Sequence, residues 1–199
     1  MYRILKDDGS IYVWCGIGEK SQSLIRWFPL FSKYFYFKDL ITWKKQRGLG
    51  MKKGWLYTRE ELMWFVKDNK NFIWVKEKQY SEEKRNYIRA GGKSYYKRLT
   101  NIWTDINEEM YEKIHKDRIN KYNLNSKYPT LHKTIKPVKA IKRIIESHTK
   151  IGDIVLDCCA GSFTTAEACI NTDRRYICIE KEKEFYLEGK ERIKNLIKK

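Results

Sequence analysis

The last third of the chain leaves the fewest folding options. Val138, Ile141, Ile144, Ile145 and His148 recur on one helical face directly after Pro137, a residue suited to a first helical turn. Gly152-Asp153 then turns the chain into Ile154-Val155-Leu156, an uninterrupted apolar run typical of a central parallel strand. A loop from Asp157 to Phe163 leads into a helix from about Thr164 to Ile170. Arg175-Tyr176-Ile177-Cys178-Ile179 reads as a second buried strand ending at Glu180, and Lys183 to Ile197 as a final helix. Helix, strand, helix, strand, helix in this order predicts half of a doubly wound α/β domain.

Ligands of such sheets bind beyond the carboxyl ends of the strands, which here means Asp157 to Thr165 and the acid at Glu180. Gly161 permits close backbone approach, and Ser162 and Thr164 bring hydroxyls to a helix N-terminus. An acid at the tip of the second strand can accept hydrogen bonds from two ribose hydroxyls, so the pattern suggests a nucleoside-containing cofactor. No G-x-G-x-x-G occurs, and acids stand where a pyrophosphate would sit, which argues against a dinucleotide. An acid at the first strand tip suits a cationic or amine-bearing ligand, such as the methionine moiety of S-adenosylmethionine. An ordinary helix cap beside a surface acid explains the loop equally well, and the loop alone leaves both readings open.

Lys plus Arg number 42 against 25 Asp plus Glu, a net charge of +17 in 199 residues. That surplus favours a polyanionic partner, nucleic acid ahead of an acidic membrane, although a lysine-rich composition bias yields the same number. Five cysteines without a CxxC pair argue against a disulfide framework or zinc ribbon and for a reducing, cytoplasmic setting. The opening residues carry no apolar signal region, and Leu24 to Phe37 is interrupted by Arg26 and Lys33, so no membrane association is expected.

The first part of the chain predicts a strand over Ile11–Cys15, a helix over Ser21–Phe31, and a strand within Tyr34–Trp43. A basic glycine loop is expected around Lys44 to Gly54. Thr58 with Glu61 reads as a capping box opening a helix whose buried stripe is Leu62, Phe65 and Val66. Phe72–Val75 reads as a further short strand. From Lys76 to Pro129 the chain is polar, basic and tyrosine-rich, with weak periodicity, and reads as an inserted substrate-facing region.

The run His132-Lys133-Thr134-Ile135-Lys136-Pro137, then a helix, then Gly152-Asp153-Ile154-Val155-Leu156-Asp157 and Ala160-Gly161-Ser162-Phe163-Thr164-Thr165, closely resembles the amino-methylating DNA methyltransferases. These make N6-methyladenine or N4-methylcytosine. Arg174 to Glu180 looks like the family's next motif, and Leu5 to Val13, Ile41 to Lys44 and Asn101 to Ile106 resemble its other segments in the order called beta class. The resemblance implies an α/β, Rossmann-like S-adenosylmethionine-dependent methyltransferase fold with an inserted target-recognition region. It implies a catalytic-half remnant over 1–75, target recognition over 76–131 and a cofactor-binding half over 132–199. Carried over by position, it makes Thr134, Lys136, Pro137, Asp157, Cys158, Gly161, Ser162, Thr164 and Glu180 cofactor residues, with Asp157 and Glu180 as the cofactor acids. Trp43, Arg47, Lys52, Lys93, Tyr95 and Arg98 are candidate contacts to double-stranded DNA, through phosphate pairing and base stacking. For any one of these, a solvated cation or a core aromatic is the plainer reading.

The chain departs from the pattern at Lys133 for Pro, Cys158-Cys159 for Pro-Phe and Phe163 for the second loop Gly. Cys158 and Cys159 read as small packing residues. Phe163 spares cofactor binding if it points to the core and impairs it if it points into the pocket. The family's Asp/Asn-Pro-Pro-Tyr/Phe/Trp tetrapeptide, which accepts hydrogen bonds from the target amino group and stacks on the flipped base, occurs nowhere in the 199 residues. The expectation is therefore a chain truncated at its N-terminus, one central strand short, with a gap, an irregular pairing or an exposed apolar edge beside Ile154–Asp157. The function implied is methyl transfer to an exocyclic amino group of DNA, adenine N6 ahead of cytosine N4. The alternative is an inactive remnant, or part of a split enzyme completed by a second polypeptide or copy.

Overall fold

The computed structural model describes residues 1–18, 21–49, 53, 55–84, 96–107 and 135–198. They fall into two compact units, Met1–Ile106 and Asn107–Lys199.

The first unit is built on a four-stranded sheet ordered β1-β3-β2-β6, from β1 (Ser10–Cys15), β2 (Tyr36–Leu49), β3 (Tyr57–Val66) and β6 (Ile102–Trp103). β3 runs antiparallel to β1 on one side and β2 on the other, while β6 joins β2 in parallel. Helix α1 (Ser23–Ser32) carries Pro29 internally and packs against β3. A 3₁₀ turn (Lys76–Gln79) precedes the ribbon of β4 (Tyr80–Lys84) and β5 (Tyr96–Arg98).

Three expectations are corrected here. The segment after Thr58 is strand β3, not a helix. Leu62, Met63, Phe65 and Val66 are all fully buried, because a central strand is covered on both faces and so shows a continuous apolar run. Glu61 is no capping residue. It lies 2% exposed in the strand, where its carboxylate accepts the Thr42 hydroxyl at 2.7 Å and pairs with Arg59 at 3.0 Å. Phe72–Val75 forms no strand among the described residues. It is held by aromatic packing, with Trp74 stacked on Trp64 at 5.3 Å and Phe72 edge-on to the same ring at 5.7 Å. The expected loop after Trp43 is also shorter, since β2 continues through Lys44 to Leu49.

The second unit follows the predicted order: α2 (Val138–His148), β7 (Ile154–Asp157), α3 (Thr164–Ile170), β8 (Arg175–Cys178) and α4 (Lys183–Ile197). β7 and β8 pair in parallel, Ile154 opposite Arg175 through Asp157 opposite Cys178. Helix α3 packs on both strands and on α2 and α4. Arg174 ties the end of α2 to the turn before β8, its Nε donating to Thr149 Oγ1 at 3.0 Å and its Nη2 to the Thr149 carbonyl at 2.9 Å.

Side chains alternate across this ribbon. Tyr176 and Cys178 pack towards the cluster of Ala160, Phe163, Ala166 and Ile193. On the opposite parity, Ile154, Ile177 and Ile179 remain 49%, 51% and 54% exposed. Among the described residues β7 pairs with β8 alone. No helix among them is long and apolar enough to cross a membrane.

Phe163 adopts the left-handed conformation (φ 59°), the region that favours glycine. Its ring is 6% exposed, meets Tyr186 edge-on at 5.9 Å and lies over Gly189 of α4. A methyl group on Gly189 would fall 2.5 Å from that ring. Gly189→Ala is expected to cost about 1–3 kcal/mol through overpacking, read as a lower urea midpoint; an unchanged midpoint contradicts this packing.

Candidate cofactor site

The loop between β7 and α3 is fixed from both strand tips. Asp157 ends β7, and its two carboxylate oxygens divide their work. Oδ1 accepts the Cys159 backbone N–H at 3.0 Å, and Oδ2 accepts the Thr165 hydroxyl at 2.6 Å. Glu180 lies two residues past β8, with Oε2 accepting the Gly161 N–H at 2.7 Å and Oε1 the Glu182 N–H at 2.9 Å. Gly161 sits at φ +51°, which turns its N–H towards Glu180. The Ala160 N–H to Ile179 carbonyl bond, 2.9 Å, carries the ladder one step beyond the strands. Asp157 and Glu180 are both half-buried and hold backbone positions two residues apart on one loop.

This arrangement suits a nucleoside with a cationic group better than a phosphate. The Gly161 N–H, the donor a pyrophosphate would seek, is already bonded to a carboxylate. Both acids also act on the Cys159 thiol. Burial, the neighbouring Cys158 and then Asp157 and Glu180 push its pKa up, so the two carboxylates share one electrostatic neighbourhood. Burial likewise raises Cys169 and Cys178 to about 12, and these thiols stay un-ionised at neutral pH.

The inner side of the loop is held by a residue to which the sequence reading gave no role. Arg192 of α4 donates from Nη1 to the Ser162 carbonyl at 2.9 Å and reaches Thr164 Oγ1 at 3.3 Å. Its Nε donates to Glu167 Oε2 at 2.7 Å, and the two side chains are only 12% and 15% exposed. Ser162 and Thr164 are themselves buried, and their hydroxyls meet at 3.3 Å.

The remaining expected residues are dispersed. Pro137 is buried at the start of α2 and Lys136 is half-buried beside it, while Thr134 lies outside the described residues. Cys158 and Cys159 are both exposed, so the expectation that they are packing residues is corrected: they sit on the outer turn of the loop. Trp43 is also corrected. It is 2% exposed, and its indole N–H donates to the Ile106 carbonyl at 2.9 Å, which makes it a core residue without a free face for DNA. Arg98 is exposed on β5 and bonds Gln79 at 2.9 Å. Lys52, Lys93 and Tyr95 lie outside the described residues, as does the side chain of Arg47.

Parallel strands backed by helices, with a glycine loop held between acids at adjacent strand tips, define the α/β class whose ligands lie at the strand ends. A family model described as DNA methylase matches residues 1–191, and the chain belongs to that family. It is 30% identical over 192 residues to the type II methyltransferase M.HpaI of Haemophilus parainfluenzae, covering 96% of this chain and 55% of M.HpaI. It is 30% identical over 203 residues to the DNA adenine methyltransferase YhdJ of Escherichia coli K12, covering 96% of this chain and 63% of YhdJ. The chain thus spans little more than half the length of these curated relatives. The fold matches that of M1.HpyAVI in a complex with SAM (TM-score 0.60, 22% identity, 96% of this chain and 77% of that one). It also matches PvuII DNA methyltransferase, described as cytosine-N4-specific (TM-score 0.62, 17% identity, 93% and 64%).

Removing the Arg192 side chain leaves the Glu167 carboxylate in a poorly solvated gap. Arg192→Ala is expected to cost about 3 kcal/mol in a urea titration, and Arg192→Lys, which restores the charge without the fork, to recover part of it. Equal midpoints for the alanine variant and the parent chain contradict the clamp.

Proposed function

We propose that this chain binds S-adenosylmethionine at the β7–α3 loop and serves methyl transfer to an exocyclic amino group of double-stranded DNA. The observation that carries the reading is the pair of carboxylates, Asp157 and Glu180, holding one glycine loop from adjacent parallel strand tips. Glu180 accepts the ribose hydroxyls, and Asp157 faces the cationic end of the ligand. Pro137 and Lys136 border the pocket from the start of α2, Thr134 is their proposed companion by sequence position, and Gly161, Ser162 and Thr164 shape its floor, with Cys158 at its outer edge. The donor set fits the ligand: carboxylates for hydroxyls and an amine, with Phe163 turned into the core. When bound, the cofactor supplies an electrophilic methyl group on a sulfonium.

Adenine N6 is the preferred target, by likeness to YhdJ. A net charge of +17 and exposed cations such as Arg98 support a nucleic-acid substrate over a small molecule. Arg47, Lys52, Lys93 and Tyr95 remain the proposed companions of Arg98 at the DNA.

A second reading is favoured by two observations. The 199 residues contain no Asp/Asn-Pro-Pro-Tyr/Phe/Trp tetrapeptide, and Ile154, Ile177 and Ile179 stay half exposed on the β7–β8 ribbon. In that reading the chain is the cofactor-binding part of a split or inactive enzyme. A second polypeptide, or another copy, then supplies the strand beside β7 and the acceptors for the target amino group.

Titration calorimetry with S-adenosylmethionine and tritium transfer to duplex DNA distinguish these readings. Binding with transfer supports the enzyme, binding without transfer supports the split part, and absence of binding defeats both. Asp157→Asn and Glu180→Gln are each expected to weaken cofactor binding about 10- to 100-fold, the worth of a hydrogen bond to a charged group. Unchanged affinity in both variants contradicts the assigned pocket.

A further inference from the structure

Cys158 and Cys159 are adjacent in sequence and both exposed, and the Cys158 side chain is close enough to help push the Cys159 thiol pKa up. The other three thiols differ: Cys15 and Cys169 are buried and Cys178 is half-buried. The backbone beneath the pair is fixed, because the Cys159 N–H is held by Asp157 and the next two N–H groups by the Ile179 carbonyl and Glu180. The two exposed thiols are therefore carried side by side on a turn whose backbone is held in place.

We infer that Cys158 and Cys159 form a two-point covalent capture site for trivalent organoarsenicals, placed on the outer turn of the cofactor loop. The chemistry consumes neutral thiols. An organoarsenic oxide condenses with both side chains, two S–As bonds form, the As=O bond is lost, and the two thiol protons leave with its oxygen as water. Arsenic stays trivalent, so no oxidant is needed. Burial, then the neighbouring Cys158 and the two carboxylates, disfavour the Cys159 thiolate, which slows one-point attack on alkylating reagents, because the thiolate is the nucleophile there. Two-point capture keeps its advantage, since the second thiol closes intramolecularly at high effective concentration, worth about 10²–10⁴ in affinity.

The placement on this loop rests on the cofactor reading above; the capture chemistry does not. With phenylarsine oxide as the probe, the whole chain is expected to gain one adduct by intact mass. That adduct should survive about a hundredfold excess of 2-mercaptoethanol and be removed by dithiothreitol, as expected of a chelate. Cys158→Ser and Cys159→Ser should each lose the resistant adduct while retaining the parent circular dichroism spectrum. An adduct that yields to the monothiol, or that persists in both serine variants, overturns the site. S-adenosylmethionine at saturation should slow adduct formation at least about tenfold through occupancy. Cofactor binding by calorimetry without protection overturns the shared location. Adduct formation with no cofactor binding leaves the dithiol site standing and removes the proposed function.

Discussion

The bond from the Gly161 N–H to the Glu180 carboxylate organises the second unit. It joins the loop after β7 to the chain after β8, so the two strand tips and the loop form one object. Asp157 does the same from the other side through Cys159 and Thr165. Hydrogen bonds to an ionised carboxylate are the strong ones, at about twice a neutral pair. The loop therefore keeps its shape through groups that the proposed ligand would also use, so the proposed pocket needs little rearrangement.

The inside of the loop explains how the chain tolerates its departures from the family pattern. A phenylalanine at φ 59° strains the backbone, and its ring regains the loss by filling the notch over Gly189 and contacting Tyr186. Without that ring the cluster with Ala160, Ala166 and Ile193 would lose its largest buried side chain. Arg192 completes the support by bonding the carbonyl of the residue just before Phe163 and pairing with Glu167. Packing and a mostly buried ion pair thus hold from below what the two acids hold from above.

The second unit was legible in the sequence because each of its signals is local. Helical periodicity, a short apolar run and a glycine turn alternate in an order that only a parallel crossover satisfies. The bounds of α3 and α4 follow that pattern residue by residue. Strand β3 was not legible, because Leu62, Met63, Phe65 and Val66 are buried on both faces and their pattern fits a helix equally well. Trp43 was misread because an aromatic beside lysines looks like a nucleic-acid contact, whereas its indole partner lies 63 residues away at Ile106. Arg192 left no local sign, since its partners Ser162 and Glu167 are 30 and 25 residues distant. The exposure of Cys158 and Cys159 follows from the loop's turn, which their small, apolar character did not reveal.

On the proposed reading, Asp157 and Glu180 serve one adenosyl-methionine pocket. A crystal structure of this chain with S-adenosylhomocysteine, the demethylated cofactor, tests it most directly. The ribose hydroxyls are expected within hydrogen-bonding distance of the Glu180 carboxylate, with the amino-acid end of the ligand on the Asp157 side of the loop. Density for the ligand elsewhere on the chain, with both acids still bonded only to the loop backbone, contradicts it.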